Sequence, residues 1–159
     1  MGHEQDGALP PQLAGIVEDF QAMSESDRLQ LLLEFSRNLP ELPAHVAAHR
    51  DVMEPVAECQ SPLFVLATVD RRPPGAVKLY FDAPQEAPTT RGFAGILREG
   101  LEGLTPEQIL AVPDDVPNRL GLARAVSPLR LNGMSGMLYR IKRQVRDKAG
   151  GLQAEAGQG

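Results

Sequence analysis

Apolar residues recur at helical spacing early in the chain. Leu13, Ile16, Val17 and Phe20 share one face and predict a first amphipathic helix. Ser24 and Asp27 read as the capped start of a second helix. It carries Leu29, Leu32 and Leu33 and must stop before Pro40. From Leu39 to Glu58 the periodicity fails and three prolines intervene, which predicts a long connector of the kind that is often functional. Leu63 to Val69 is almost wholly apolar and suits a buried strand. After a turn at Asp70-Arg71-Arg72-Pro73-Pro74-Gly75, Val77, Leu79 and Phe81 alternate with Lys78, Tyr80 and Asp82. The two runs predict an antiparallel hairpin, which needs helices over it to be stable.

Beyond Pro88, Phe93, Ile96, Leu97 and Leu101 mark a third helix that ends near Gly103. Thr105-Pro106-Glu107-Gln108 is a helix start, with a capping Thr, Pro at the first position and Gln placed to cap in return. A short helix is expected over Val116–Leu120, ending at Gly121. The last runs from about Gly133 to Lys148, with Met134, Met137, Leu138, Ile141 and Val145 on one face. There is no internal repeat and no shift of composition. The pattern therefore predicts one compact α+β domain over 9–148, an antiparallel sheet covered by helices. Residues 1–8 and 149–159, rich in Gly, Gln and Ala, read as flexible tails.

Composition narrows the setting. Apolar residues make up 42% of the chain, enough for a single core. A net charge of −5 and an absence of Trp argue against nucleic acid as a partner. No apolar run is long enough to span a membrane, and Met1 to Gly7 lack the layout of a signal peptide. With a lone cysteine, this points to the reducing cytoplasm.

That cysteine, Cys59, lies in Glu58-Cys59-Gln60-Ser61-Pro62, where the connector gives way to the first strand. A single cysteine makes no internal disulfide and holds no zinc or iron–sulfur cluster alone. It is either a buried filler, as free cysteines commonly are, or a group that works as a thiolate. His45 and His49 with Cys59 would make a three-ligand metal set, but their spacing matches no metal motif, and exposed loop histidines fit better. A cysteine hydrolase would need one of His3, His45 or His49 as base, and no segment resembles an oxyanion loop. Asp114-Asp115 reads as a helix start, where acids suit the dipole. Arg140, Lys142, Arg143, Arg146 and Lys148 give the last helix a basic face, read as solvated surface or a dock for a protein. Ser127-Pro128-Leu129-Arg130 is expected to precede that helix and set its direction, with Arg130 a candidate to bring a guanidinium near the thiol.

Several segments together resemble the SufE family, the sulfur-acceptor partners of cysteine desulfurases. They are Leu39-Pro40-Glu41-Leu42, Val56 through Ser61 with the cysteine, and Thr105-Pro106-Glu107-Gln108-Ile109-Leu110. Leu120-Gly121-Leu122 and the run from Ser127 to Met134 complete the set, in matching order over about Leu13–Val145. The resemblance implies a fold similar to the iron–sulfur scaffold proteins, with Cys59 as persulfide acceptor. Burial of that thiol would raise its pKa, so a donor or cation should compensate, and Gln60, Ser61 and Arg130 are the candidates. It implies a SufS-type desulfurase as donor, bringing its own pyridoxal phosphate, and a SufBCD-type assembly complex as recipient. The chain itself is then no enzyme and needs no cofactor or metal. Glu58 and Arg91 are the residues expected to meet the partner. The alternative is an adaptor that regulates a desulfurase without carrying sulfur. Two departures stand out: Glu58 where many members have Gly, and Ala83 to Thr90 where a small acidic turn is usual.

Overall fold

A computed structural model describes residues 9–158, with side chains through residue 151. The first predicted helix, α1, spans Pro11–Ala22 and buries Leu13, Val17 and Phe20. Helix α2 covers Glu25–Asn38, where the Ser24 hydroxyl accepts the Asp27 amide at 3.3 Å and so satisfies an otherwise orphaned donor. The predicted connector is shorter than expected because it holds structure of its own. It contains helix α3 (Ala44–Ala47), a 3₁₀ turn (Arg50–Val52) and strand β1 (Glu54–Pro55).

The hairpin strands are β2 (Phe64–Val69) and β3 (Val77–Asp82), and β1 joins them to give a three-stranded antiparallel sheet in the order β1-β2-β3. Val65 faces Phe81 and Ala67 faces Leu79 on the side turned to the main core. Leu66 and Tyr80 face the other way, where Leu42, Val46 and Met53 cover them. That outer cover is why the connector folds: it buries the second face of a sheet that two strands alone would leave wet. Beyond the short β1, helix side chains occupy the edge of β2. Gln144 accepts the Ala67 amide at 2.8 Å, and Lys148 donates to the Ala67 carbonyl. On the opposite edge, Val77 exchanges backbone hydrogen bonds with Gly103 (2.8 Å) and Leu104 (2.9 Å), and the Leu79 amide reaches the Glu102 carboxylate at 3.1 Å.

Helix α4 (Pro88–Leu101) runs through the centre of the molecule and is buried along nearly its whole length. It lies so close to α2 that a Cβ at Gly95 would stand 2.4 Å from the Phe35 carbonyl oxygen. Glycine here is a requirement of approach rather than of backbone angle. Helix α5 (Pro106–Leu110) has the predicted capping box between Thr105 and Gln108, and α6 (Val116–Arg119) follows. Gly103 and Gly121, which end the preceding helices, take the positive φ angles of +85° and +69° that favour glycine.

The last helix, α7, runs Pro128–Gln158, longer at both ends than its apolar spacing predicts. Its start is a correction. Ser127 is the cap, its hydroxyl accepting the Arg130 amide at 3.3 Å, and Pro128 takes the first helical position, where its missing N–H costs nothing. At the far end Gly150 and Gly151 meet no packing and do not break the helix. The expected tail over 1–8 lies outside the described residues.

Candidate functional site

Cys59 sits on the loop that joins β1 to β2. The loop is tied at its base, where the Val56 amide donates to the Leu63 carbonyl at 2.9 Å. Within it the chain turns back, the Cys59 amide meeting the Val56 carbonyl at 3.1 Å. Val56 and Leu63 are buried, which fixes both feet of the loop in the core. The thiol itself is half-buried and packs inward against the main apolar cluster.

Helix α7 forms the wall behind it. A Cβ at Gly133 would lie 3.1 Å from the Cys59 sulfur, and one at Gly136 would lie 2.7 Å from the Glu58 carboxyl carbon. These positions are three apart, one above the other on a helical face, so two missing side chains open a seat for two successive loop residues. One turn further along that face, Arg140 meets the Glu58 carboxylate at 2.8 Å. It also lies 3.5 Å from Glu54 of β1 and donates to its own helix at the Gly136 carbonyl, 3.0 Å away. Arg143 pairs with Glu54, and Gln144 donates to the same carboxylate at 3.0 Å.

This surrounding sets the chemistry of the thiol. Burial is the main cause pushing the Cys59 pKa up, to about 11, and the neighbouring Glu58 charge adds to it, while Arg140 pulls the other way. Arg140 in turn holds the Glu58 carboxyl below its ordinary value. The resting site thus favours a protonated, inward-packed sulfur. Against an unperturbed thiol at 9.0, the folded protein should alkylate with iodoacetamide about 100-fold more slowly at pH 8, since only the thiolate reacts. The rate should keep climbing through pH 10 toward a midpoint near 11, whereas unfolded chain reaches its midpoint near pH 9 and levels off above about pH 10. A plateau below pH 9 in folded protein would contradict the buried thiol. The stability sign follows: a raised thiol pKa favours the fold at pH values below the unfolded pKa, and that contribution is lost as pH rises toward 11.

The structure brings Glu58, Gln60 and Ser61 beside the thiol on one loop, Gln60 exposed and Ser61 half-buried. Arg130 is exposed on the first turn of α7, and the cation that acts on the thiol is Arg140 instead. Arg91 is also differently placed from its expected role at a partner surface. It is 8% exposed, and its guanidinium donates to the Ala83 carbonyl at 2.9 Å and to the Leu39 carbonyl at 3.4 Å, clasping two loops to α4. His45 lies edge-on to Tyr80, ring centres 6.0 Å apart, on the outer side of the sheet, away from the core side where Cys59 packs. His49 is exposed. Among the described residues no group of three or more His, Cys, Asp or Glu is placed to hold a metal. No helix there is long and apolar enough to cross a membrane. Most of the basic face of α7 is engaged within the fold: Arg140 contacts Glu58 of the loop, Arg143 pairs with Glu54 of β1, Lys142 pairs with Asp114 at 2.7 Å, Lys148 donates to the Ala67 carbonyl, and Arg146 is exposed.

Fold and site together define a small α+β protein whose distinctive chemistry rests on one loop thiol backed by a helix. The family model for SufE, described as an Fe-S metabolism associated domain, matches residues 14–145. The chain belongs to the SufE family. It is 55% identical over 140 residues to a SufE-like protein of Mycobacterium tuberculosis, covering 88% of this chain and 95% of that one. It is 26% identical over 136 residues to the cysteine desulfuration protein SufE of Plasmodium falciparum, covering 84% of this chain and 53% of that one. Among solved structures, a hypothetical protein from Thermus thermophilus superposes with a TM-score of 0.77 at 42% identity, over 89% of this chain and 98% of that one.

Proposed function

We propose that this chain accepts sulfane sulfur from a SufS-type cysteine desulfurase, carries it as a persulfide on Cys59, and delivers it toward a SufBCD-type iron–sulfur assembly complex. The observation that carries the reading is Cys59 itself: the sole thiol of the sequence, on a loop seated in a recess shaped for it by Gly133 and Gly136. In the transfer, the Cys59 thiolate attacks the terminal sulfur of the donor's persulfide, the donor's S–S bond breaks, and the donor cysteine leaves as thiolate. Electrons balance without any oxidant. A second cysteine nearby would trap the product as a disulfide, and the sequence has none.

The thiol pKa of about 11 makes contact with the donor part of the reaction. The loop must leave its seat for the sulfur to ionise readily and reach another active site. Once it returns, the apolar packing around Cys59 shields the persulfide from water and reductants. The chain then needs neither a metal nor pyridoxal phosphate of its own, and it works in the cytoplasm beside the desulfurase. Incubation with a desulfurase, pyridoxal phosphate and cysteine should add the mass of one or more sulfur atoms to this chain, removable by reductant. An unchanged mass during active turnover would end the acceptor reading.

A further inference from the structure

We infer that Glu58 and Arg140 form an electrostatic latch that holds the Cys59 loop in its seat, with Arg140 as a positioning residue for the thiol. This deepens the sulfur-acceptor reading and rests on Cys59 as the working group. Three observations point to it. The seat is cut for Glu58 as much as for the cysteine, because any side chain at Gly136 would collide with the Glu58 carboxylate. Arg140 is held rigidly by the Gly136 carbonyl and by Glu54, so it offers a fixed anchor on the helix rather than a wandering surface charge. Its side chain is only 15% exposed, against 33% for Glu58.

The contact has the character of a catch that opens. Glu58 meets one terminal guanidinium nitrogen at 2.8 Å, while Arg140 Nε is turned toward Glu54 at 3.5 Å. It is thus a one-pronged contact and not the two-pronged pairing that makes Arg–carboxylate bonds hard to break. Release also strands no charge. When the loop swings out, Glu58 moves into water with it, and Arg140 remains beside Glu54, which Arg143 also contacts. A buried cation left alone would impose a large penalty, and this arrangement avoids it. Locally, two acids, Glu54 and Glu58, oppose two bases, Arg140 and Arg143.

Arg140 has opposite expected effects in its two possible roles, which makes the inference testable. As the cation nearest the thiol it favours the thiolate, so its removal alone would slow alkylation. As a latch it keeps the thiol inside, so its removal speeds alkylation. In full-length protein at pH 8, Arg140→Gln should raise the rate with iodoacetamide about tenfold, as expected for losing a part-buried pair that holds a closed state. Adding Glu58→Gln to it should give little more, because both changes open one contact. A native or slower rate for Arg140→Gln in folded protein would overturn the latch.

If Arg140→Gln does not fold, Glu58→Gln decides the matter through two reagents of different size. A change in thiol pKa scales a small iodoacetamide and a bulky maleimide alike, whereas loop release favours the bulky one. A rise of about fivefold or more in the maleimide-to-iodoacetamide ratio supports the latch, and an unchanged ratio overturns it. These measurements use no desulfurase, so their failure leaves persulfide formation standing, and failure of persulfide formation leaves them standing.

Discussion

Cys59→Ser is expected to bind a desulfurase about as tightly as the native chain, to take up no sulfur, and to leave the desulfurase's turnover unraised. Interface energy comes from a few anchoring side chains spread over a patch, and one sulfur contributes little to that sum. Transfer, by contrast, depends on that atom absolutely, and the sequence offers no second cysteine to stand in. Titration of the desulfurase with the variant, read both as binding and as sulfide release under reductant, separates the two. Full stimulation by Cys59→Ser would show that the chain acts as an adaptor and that the thiol is a bystander.

Gly95→Ala should be the most damaging single methyl in the molecule's interior. The added Cβ would stand 2.4 Å from the Phe35 carbonyl oxygen and 3.0 Å from its carbon, both backbone atoms that cannot rotate away. Relief requires α2 and α4 to separate, which disturbs the stack of Phe35 on Phe20, ring centres 6.0 Å apart. Overpacking of this kind costs up to about 3 kcal/mol, and the better helix propensity of Ala returns at most about 1 kcal/mol. A net loss of about 2 kcal/mol corresponds to a fall of roughly 4–8 °C in melting temperature for a domain of this size. Gly15→Ala in α1 is the matched control: nothing lies within 4 Å of that Cβ, so it should be neutral or stabilising. Equal melting temperatures for the two variants would mean that the helices have slack the packing does not show.

The legible parts of this chain are those whose causes are local. The apolar faces of α1 and α2, the capping box at Thr105 and the turn between β2 and β3 follow from residues a few positions apart. Strand β1 was not legible, because its two residues, Glu54 and Pro55, are strand only through pairing with Val65 and Phe64. Ser127-Pro128 did carry a readable signal, a cap followed by Pro, but α7 was predicted from its apolar spacing, which becomes continuous only at Gly133. Cys59 was legible as the lone thiol at a strand start. Its true cation was not, since Arg140 meets Glu58 only after the sheet is laid against α7. One trace of it existed: Gly133, Gly136 and Arg140 fall at i, i+3 and i+7, a small, small, basic stripe on one helical face. Arg91 was expected to meet a partner, and only the fold shows the two loop carbonyls, of Ala83 and Leu39, that its guanidinium reaches.

The occupied borders of the sheet restrict how any other protein can engage this one. A common way to recruit an extended peptide is to let it add a strand to an open sheet, with main-chain hydrogen bonds supplying the affinity. Here the outward backbone groups of Ala67 are taken by Gln144 and Lys148, and those of Val77 by Gly103 and Leu104. A visiting strand would have to strip away those bonds before forming its own. At those positions the same occupancy also opposes edge-to-edge association between copies of the chain. Docking through side chains on the loops and helices would break none of those bonds, and it suits a cysteine loop that leaves its seat in the proposed transfer.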